Sequence, residues 1–403
     1  MEAFNRLETA ILETIARSER RGWPDEAVPA GEAWLPAITF HAYMAMCLYD
    51  EFDGYYKSGP VRIGKSGDFY TSSAIGSMMG SKLAGYVTKL AEAQDRPAVI
   101  MEWGAGTGAL AVQMLSAWEQ AAPPWLASAQ YSLVDGNAVH LEEAKSRFVE
   151  RGLGSAGEGI SVSFMTPQEA EASLESGPEE RFVVVLANEL LDAMPVHRVV
   201  RKAGRLWELG VAAAAGEQEG QAFRYVYMPL SDERIAGVLN RDGIQLREGQ
   251  ITEVNLDAEQ WIKSLGGRIR HGCLLLIDYG HDARELTASH RMHGTLLCYK
   301  DHIARDEPFQ NPGDQDLTAH VNFTGCTAAG EDAGWKPRYY GTQKQFLLDE
   351  GLLSDLVRHD GADPFSEAAR HNRSIRQLLL SDAMSETFKV LVLEKSEQRW
   401  TSK

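Results

Sequence analysis

Apolar positions along the chain recur with two periods, and each period predicts one kind of secondary structure. Near the N-terminus the spacing of Leu7, Ile11, Leu12 and Ile15 predicts an amphipathic helix with one apolar face. Farther along, short apolar runs alternate with segments of helix length, as where "AVIMEW" precedes a helix predicted from about residue 109 to residue 120. Strands separated by helices predict an α/β fold with a mostly parallel sheet and helices on both faces.

Seven strands are predicted in this pattern, and each is a short, largely apolar run. In chain order they are "AVIMEW", "AQYSLVD", "GISVSFM", "RFVVVLANE", "GCLLLIDYG", "GWKPRYYG" and "TFKVLVLEKS". The fourth is apolar enough to be buried on both faces. The last two follow a long stretch with little periodicity, and this order fits the Rossmann-like sheet of class I methyltransferases.

The predicted elements divide the chain into four regions. Residues 1–90 form an N-terminal helical and loop region that covers the site, and residues 91–195 form the first half of a cofactor-binding core. Residues 196–270 are a β-rich and helical insertion with β-hairpins. Residues 271–403 complete the core and carry a loop insertion at about 281–334.

Composition and charge restrict the partners. The formal net charge of −17 repels phosphate backbones, so we expect no nucleic acid partner, whereas a basic protein substrate would suit this surface. No apolar stretch approaches the roughly 18 residues of a membrane span, so no membrane partner is expected. The four cysteines form no C-x-x-C pair, which favours a reduced, cytoplasmic protein. The sequence leaves the oligomeric state open, a dimer included.

The segment "IMEWGAGTGAL" places three glycines directly after the first predicted strand. In such a strand–turn–helix unit we expect backbone N–H groups at the helix start to face a ligand. Gly104, Gly106 and Ala109 match the dinucleotide pattern G-x-G-x-x-G/A, which keeps an NAD(P)-dependent oxidoreductase open as an alternative. Glu102 and Gly108 instead match the turn that binds S-adenosyl-L-methionine (SAM), since a carboxylate suits the cofactor's α-ammonium and disfavours a pyrophosphate. Ala105 belongs to the same predicted site.

Two further groups of acids follow predicted strands. Asp135 ends the second strand, where its carboxylate would accept both ribose hydroxyls or cap the next helix. Asn188 and Glu189 end the fourth strand, at the edge where open α/β sheets bind ligands. Asp192 lies three residues after Glu189, so one helical turn would bring both carboxylates to one side, or both would cap that helix. Paired carboxylates suit a guanidinium, which stays protonated at neutral pH and must lose a proton to an acceptor on methylation.

Together with further segments, these motifs make the sequence resemble the MidA-like class I SAM-dependent methyltransferases, a family that includes an arginine-methylating assembly factor of mitochondrial complex I. The matching segments are "YYKSGPVRIGKSGDFYTS" (55–72), "EWGAGTG" (102–108), "NELLDAMPVH" (188–197), "LIDYGH" (276–281), "HGTLLCYKDH" (293–302) and "NPGDQDLTAHVNFT" (311–324). The resemblance implies SAM as cofactor and a protein substrate. It also implies that the loop with Gly67, Asp68 and Thr71, together with the segment after Asp278, walls the site.

The chain departs from the family pattern at two acids. Ala74 stands where the family has a glutamate, and Asn322 stands where it has an aspartate. His320, in the last matching segment, is a candidate for orienting the substrate or for acting as a base near neutral pH.

No metal site is expected, because the histidines of the insertion (His281, His290, His293 and His302) lack ligand spacing. The sequence thus predicts a SAM-dependent methyltransferase acting on a protein side chain, arginine being favoured. A non-catalytic SAM-binding assembly factor is a further alternative.

Overall fold

The structure is a computed structural model that describes residues 5–24, 34–57, 78–153, 159–178, 180–214, 222–300, 303–358, 363, 365–380 and 386–396. Its helices are α1 (Arg6–Arg17), α2 (Phe40–Tyr49), α3 (Met78–Glu92), α4 (Ala109–Ala121), α5 (Ala138–Arg151), α6 (Pro167–Ser176), α7 (Glu233–Arg241), α8 (Leu256–Arg268), α9 (Ala283–Leu286), α10 (Phe323–Asp332), α11 (Gln343–Asp349) and α12 (Glu367–Leu380). Within these described ranges, no helix has both the length and the apolar character needed to cross a bilayer.

The strands are two to ten residues long and occur between residues 21 and 395. They are β1 (Arg21–Gly22), β2 (Leu35–Pro36), β3 (Ile38–Thr39), β4 (Ala98–Trp103), β5 (Gln130–Val134), β6 (Ser161–Met165), β7 (Phe182–Asn188), β8 (His197–Lys202), β9 (Arg205–Ala213), β10 (Phe223–Met228), β11 (Ile251–Val254), β12 (Gly272–His281), β13 (Leu297–Lys300), β14 (Ile303–Arg305), β15 (Asp316–Thr318), β16 (Val321–Asn322), β17 (Lys336–Thr342) and β18 (Phe388–Lys395).

The chain divides into two compact units, and the larger sheet belongs to the unit formed by Val61–Leu190, Ile262–Tyr279 and Gly330–Lys403. This sheet has the strand order β17-β18-β12-β7-β4-β5-β6. Neighbours from β12 to β6 pair in parallel, and β18 is antiparallel to both of its neighbours. The mostly parallel sheet predicted from the sequence is therefore confirmed. To the seven strands of this order, the two-residue strand β16 adds an eighth by pairing in parallel with the end of β12.

The centre of this sheet is closely packed around β4. All six residues of β4 are buried, because β5 and β7 flank it and helices cover the sheet. Ile100 is fully buried, in one apolar core cluster with Leu133, Val184 and Leu275. Each such side chain contributes about 1.5–3 kcal/mol by leaving water. β4 is thus buried along its whole length, up to its carboxyl end where the glycine turn begins.

The second unit comprises Met1–Pro60, Leu191–Trp261 and Gly280–Ala329. Its main sheet is antiparallel, with the order β10-β9-β8-β11 and with β3 added to β9. The predicted N-terminal helix is confirmed as α1, which Asn5 and Glu8 begin with a capping box. Leu7, Ile11 and Ile15 of α1 are buried in this unit's core.

The insertion predicted as loops at about 281–334 contains regular structure. It holds the small sheet β14-β13-β15, the short strand β16 and the helices α9 and α10. Strands of two to four residues are too short to produce a readable alternation, which is why the sequence pattern did not reveal them.

Candidate active site

The glycine turn joins β4 to α4, and its backbone conformation requires glycine. Gly104, Gly106 and Gly108 have φ angles of +69°, +52° and +73°, which side chains disfavour. A Cβ on Gly108 would lie 2.9 Å from Leu133 Cδ2, and one on Gly104 would lie 3.0 Å from Leu190 Cδ1. The turn is therefore closely packed against Leu133 of β5 and against Leu190, two residues after β7.

The N–H groups of this turn bond within the chain, contrary to the expectation that they face a ligand. The N–H groups of Gly104 and Ala105 donate to Val134 O at 2.9 and 3.1 Å, and that of Gly108 donates to Ala105 O at 2.9 Å. The N–H of Gly106 donates to Asp135 Oδ2 at 2.8 Å. A pyrophosphate needs such donors, so a dinucleotide would find these four already used.

Glu102 lies on β4 beneath the turn and is almost fully buried. Its Oε2 accepts a hydrogen bond from the Tyr131 hydroxyl at 2.6 Å. Its Oε1 has no hydrogen-bond partner in the described part of the chain. Burial raises the pKa of Glu102 to about 7; the Tyr131 hydroxyl opposes this rise and the nearby Asp135 charge adds to it. A cationic group would stabilise the ionised form of this carboxyl.

Asp135 follows β5 and bridges the glycine turn to the start of α5. In addition to Gly106, it accepts the N–H of Asn137 at 2.8 Å through Oδ1. The helix cap suggested for Asp135 is instead Asn137, whose side chain accepts the N–H of Val139. His140 Nδ1 lies 3.4 Å from Asp135 Oδ1. A carboxylate oxygen accepts more than one hydrogen bond, so this arrangement leaves Asp135 able to take hydroxyl donors as well.

The carboxyl end of β7 carries a strained acidic residue. Glu189 has a φ of +55°, a left-handed conformation that costs a non-glycine residue about 1–2 kcal/mol. The side chain of Asn188 donates to Glu189 Oε1 at 3.1 Å. Asn188 Oδ1 is buried and has no hydrogen-bond partner among the residues that the structure describes. An orphaned acceptor beside a strained carboxylate indicates a position prepared for a ligand with N–H groups.

Asp278 holds this strand end in place, a role that the sequence did not reveal. It is fully buried on β12, where Oδ2 accepts the N–H of Leu190 at 3.1 Å and Oδ1 accepts the N–H of Tyr279 at 2.8 Å. No helix follows Glu189, since residues 189–196 form bends and turns. The predicted helical turn through Glu189 and Asp192 is therefore wrong, as is the suggestion that these acids cap a helix.

Asp192 and His320 belong to the unit that contains α1. Asp192 is buried, and its backbone oxygen accepts the N–H of Ala319 at 3.0 Å. Burial, and then the neighbouring His281 and Arg291, lower the pKa of His320 to about 3. The ring is therefore neutral and accepts a proton poorly at neutral pH, which argues against His320 as a base.

Two other polar residues of this unit, Asp316 and Asn322, form hydrogen bonds within it. The Tyr56 hydroxyl donates to both carboxylate oxygens of Asp316 at 2.9 Å, although the two residues are 260 positions apart. Asn322, where the family has an aspartate, donates to Asp242 Oδ2 at 2.7 Å and accepts the N–H of Gly325. An aspartate could not donate to Asp242, so the amide fits its local surroundings here.

Gly67, Asp68, Thr71, Ala74 and His302 lie outside the described residues. Within the described ranges, no group of three or more His, Cys, Asp or Glu side chains could hold a metal ion.

Comparison with known proteins identifies the cofactor. A family model for S-adenosyl-L-methionine-dependent methyltransferases matches residues 82–341, more than half of the chain. A structure from Burkholderia thailandensis, bound to S-adenosyl-homocysteine, matches with a TM-score of 0.80 and 29% identity, covering 96% of this chain and 92% of that one. SAM is thus the cofactor of this chain, and the oxidoreductase alternative is wrong.

Relatives also carry names that describe an acceptor and a location. The mitochondrial protein arginine methyltransferase NDUFAF7 homolog of Drosophila melanogaster is 28% identical over 80% of this chain and 74% of its own length. The mitochondrial NDUFAF7 of Danio rerio is 26% identical over 87% of this chain and 82% of its own length. The predicted cytoplasmic location is wrong, because these relatives are mitochondrial. That prediction rested on the four cysteines; all four are buried, and burial does not identify a compartment.

Proposed function

The chain belongs to the S-adenosyl-L-methionine-dependent methyltransferases, and from that premise we propose that it methylates a guanidinium nitrogen of arginine in a protein substrate. When bound, SAM supplies an activated methyl group on a sulfonium. What this chain must add is an oriented cofactor, an oriented nitrogen and an acceptor for the nitrogen's proton.

The cofactor-binding residues that we propose are those of the turn and of the two strand ends beside it. Glu102 would meet the α-ammonium through Oε1, and Asp135 would accept the ribose hydroxyls while it keeps Gly106 in place. The donor set supports this assignment, because two acids beside a turn with used N–H groups suit a cation and hydroxyls better than a phosphate.

The observation that carries the choice of acceptor is the pair Asn188 and Glu189. A buried amide oxygen without a partner and a carboxylate oxygen, both at the carboxyl end of β7, can each accept one N–H of the same planar group. A guanidinium presents five N–H donors in a fixed fork, whereas a hydroxyl offers one donor and a carboxylate none, so neither could serve the oxygens of Asn188 and Glu189 together. The arginine methyltransferase names of the relatives agree with this choice.

Glu189 is the proposed proton acceptor. A guanidinium nitrogen attacks only as its proton is drawn away, and a carboxylate held in a fixed left-handed position can draw it without reorganising. The roles predicted from the sequence for Asp192 and His320, which belong to the other unit, stay predictions. Asp278 supports the strand end indirectly, through the N–H of Leu190.

The test is to identify the methylated residue. The purified chain is incubated with deuterated-methyl SAM and a lysate of cells that lack the protein, and modified peptides are sequenced by mass spectrometry. We expect deuterated methylarginine, absent with Glu189→Gln. Glu150→Gln, an exposed change on α5, serves as the matched control and should label as the wild type does. Labelling of lysine or of small molecules alone would contradict the arginine assignment, and no labelling at all would favour the non-catalytic alternative.

A further inference from the structure

The carboxyl group of Glu102 accepts a hydrogen bond from Tyr131 of the neighbouring strand. Tyr131 is fully buried on β5, and its hydroxyl donates to Glu102 Oε2 at 2.6 Å. The strands set this geometry: Ile100 pairs with Tyr131 and Glu102 pairs with Leu133, so both side chains leave the sheet on the same face, 29 residues apart in sequence.

The ring of Tyr131 has little freedom. Its hydroxyl lies 3.8 Å from Met114 Sδ of α4, and its ring meets the Trp118 ring edge-on with centroids 6.1 Å apart. A tyrosine confined in this way offers its single hydroxyl proton in one direction only. Glu102 Oε2 therefore stays turned into the core, and Oε1 is the oxygen left for a ligand.

We propose that Tyr131 is a positioning residue for the cofactor, which it serves by fixing Glu102 so that Oε1 meets the α-ammonium, and that cofactor binding drives a proton from Glu102 into solvent. The proposal rests on the SAM site of the family and not on arginine as acceptor. The proton lost is the one on the neutral carboxyl, and the incoming ammonium replaces it as the positive partner of the carboxylate.

The charges around Glu102 agree with such an exchange. Burial raises its pKa to about 7, so a large share of the free protein carries this proton near neutral pH. The titratable groups that act on it in the described part of the chain are Tyr131 and Asp135, on β5 and directly after it. From α4 the pair meets the uncharged thioether of Met114. A cation at Oε1 is thus the partner that would offset burial of the ionised form.

The experiment is calorimetric titration with S-adenosyl-homocysteine, which carries the same ammonium, from pH 6 to 8.5 in buffers of different ionisation enthalpy. For the wild type we expect binding to tighten by about tenfold from pH 6 to 8, with a midpoint near 7, and to release a proton below that midpoint. Tyr131→Phe keeps the ring and should bind about tenfold more weakly, with the midpoint moved to higher pH because the carboxylate has lost its donor. A merely structural role would not move that midpoint.

Two further variants complete the test. Tyr86→Phe, on α3 and packed against Phe346, is the matched control and should leave both the affinity and the midpoint unchanged. Glu102→Gln should bind without pH dependence, which supports the proposal even if Tyr131→Phe does not fold. Wild-type affinity and midpoint in Tyr131→Phe would overturn the positioning role. Binding that is flat with pH in the wild type would overturn the proton exchange, and neither result bears on the methyl acceptor.

Discussion

Replacing Glu102 by Gln should stabilise the protein, and increasingly so as the pH rises. The ordinary carboxyl pKa of 4.5 rises to about 7 in the folded chain. The folded state therefore holds this proton more tightly than the unfolded chain does, and the stability contributed by Glu102 falls as the pH rises from 4.5 to 7. Since one pKa unit corresponds to about 1.4 kcal/mol, the full cost above pH 7 is about 3 kcal/mol. Glutamine cannot ionise, and its amide oxygen can still accept from Tyr131.

Urea unfolding at several pH values measures this cost directly. The free energy of unfolding of Glu102→Gln minus that of the wild type should grow by about 2.5 kcal/mol between pH 5 and pH 8.5. Glu142→Gln, an exposed glutamate on α5, is the matched control and should follow the wild type at every pH. Parallel curves for Glu102→Gln and the wild type would refute the reasoning, because they would mean that the buried carboxyl titrates as it does in the unfolded chain.

Three other outcomes follow from the geometry of the site. Gly108→Ala should lower the free energy of unfolding by about 2–4 kcal/mol, because the φ of Gly108 is +73° and a Cβ there would meet Leu133. Gly152 has a φ of +68° but nothing within 4 Å of its Cβ position, so Gly152→Ala should lower it by only about 1–2 kcal/mol in the same thermal unfolding assay. Asp278→Asn should lower kcat about tenfold or more while the affinity for S-adenosyl-homocysteine stays within about twofold, and an unchanged kcat would refute its role in holding Leu190. A pH profile of kcat should show no inflection from His320 between pH 5 and pH 8, because its pKa is about 3, and a wild-type inflection lost in His320→Asn would contradict this.

Much of the sheet was predictable because burial leaves a clear pattern. "AVIMEW" coincides with β4, since five of its six residues are apolar, as is typical of a strand buried on both faces. The tight turn at Gly104 and Gly108 was also predictable, because glycine adopts positive φ angles more readily than other residues. The short strands β13–β16 were not, because two to four residues cannot show a period. The bounds of the four predicted regions stay predictions.

The contacts that complete the site could not be predicted from the sequence, because they join residues that are far apart in the chain. Nothing near Tyr131 in the sequence indicates that its hydroxyl meets Glu102, and nothing near Asp278 points to the N–H of Leu190, 88 positions away. Three N–H groups of the glycine turn donate to Val134 O and Asp135 Oδ2, at the end of β5 and directly after it. The sequence of the turn therefore could not show that these groups are used within the chain. The sequence indicates which residues form the site, whereas strand register decides what each of them contacts.

The most direct measurement is a crystal structure of the chain with S-adenosyl-homocysteine. We predict the ligand across the carboxyl edge of the sheet, with its ammonium on Glu102 Oε1, its ribose hydroxyls on Asp135 and its sulfur facing Asn188 and Glu189. A ligand bound elsewhere, or Glu102 and Asp135 turned away from it, would contradict the account.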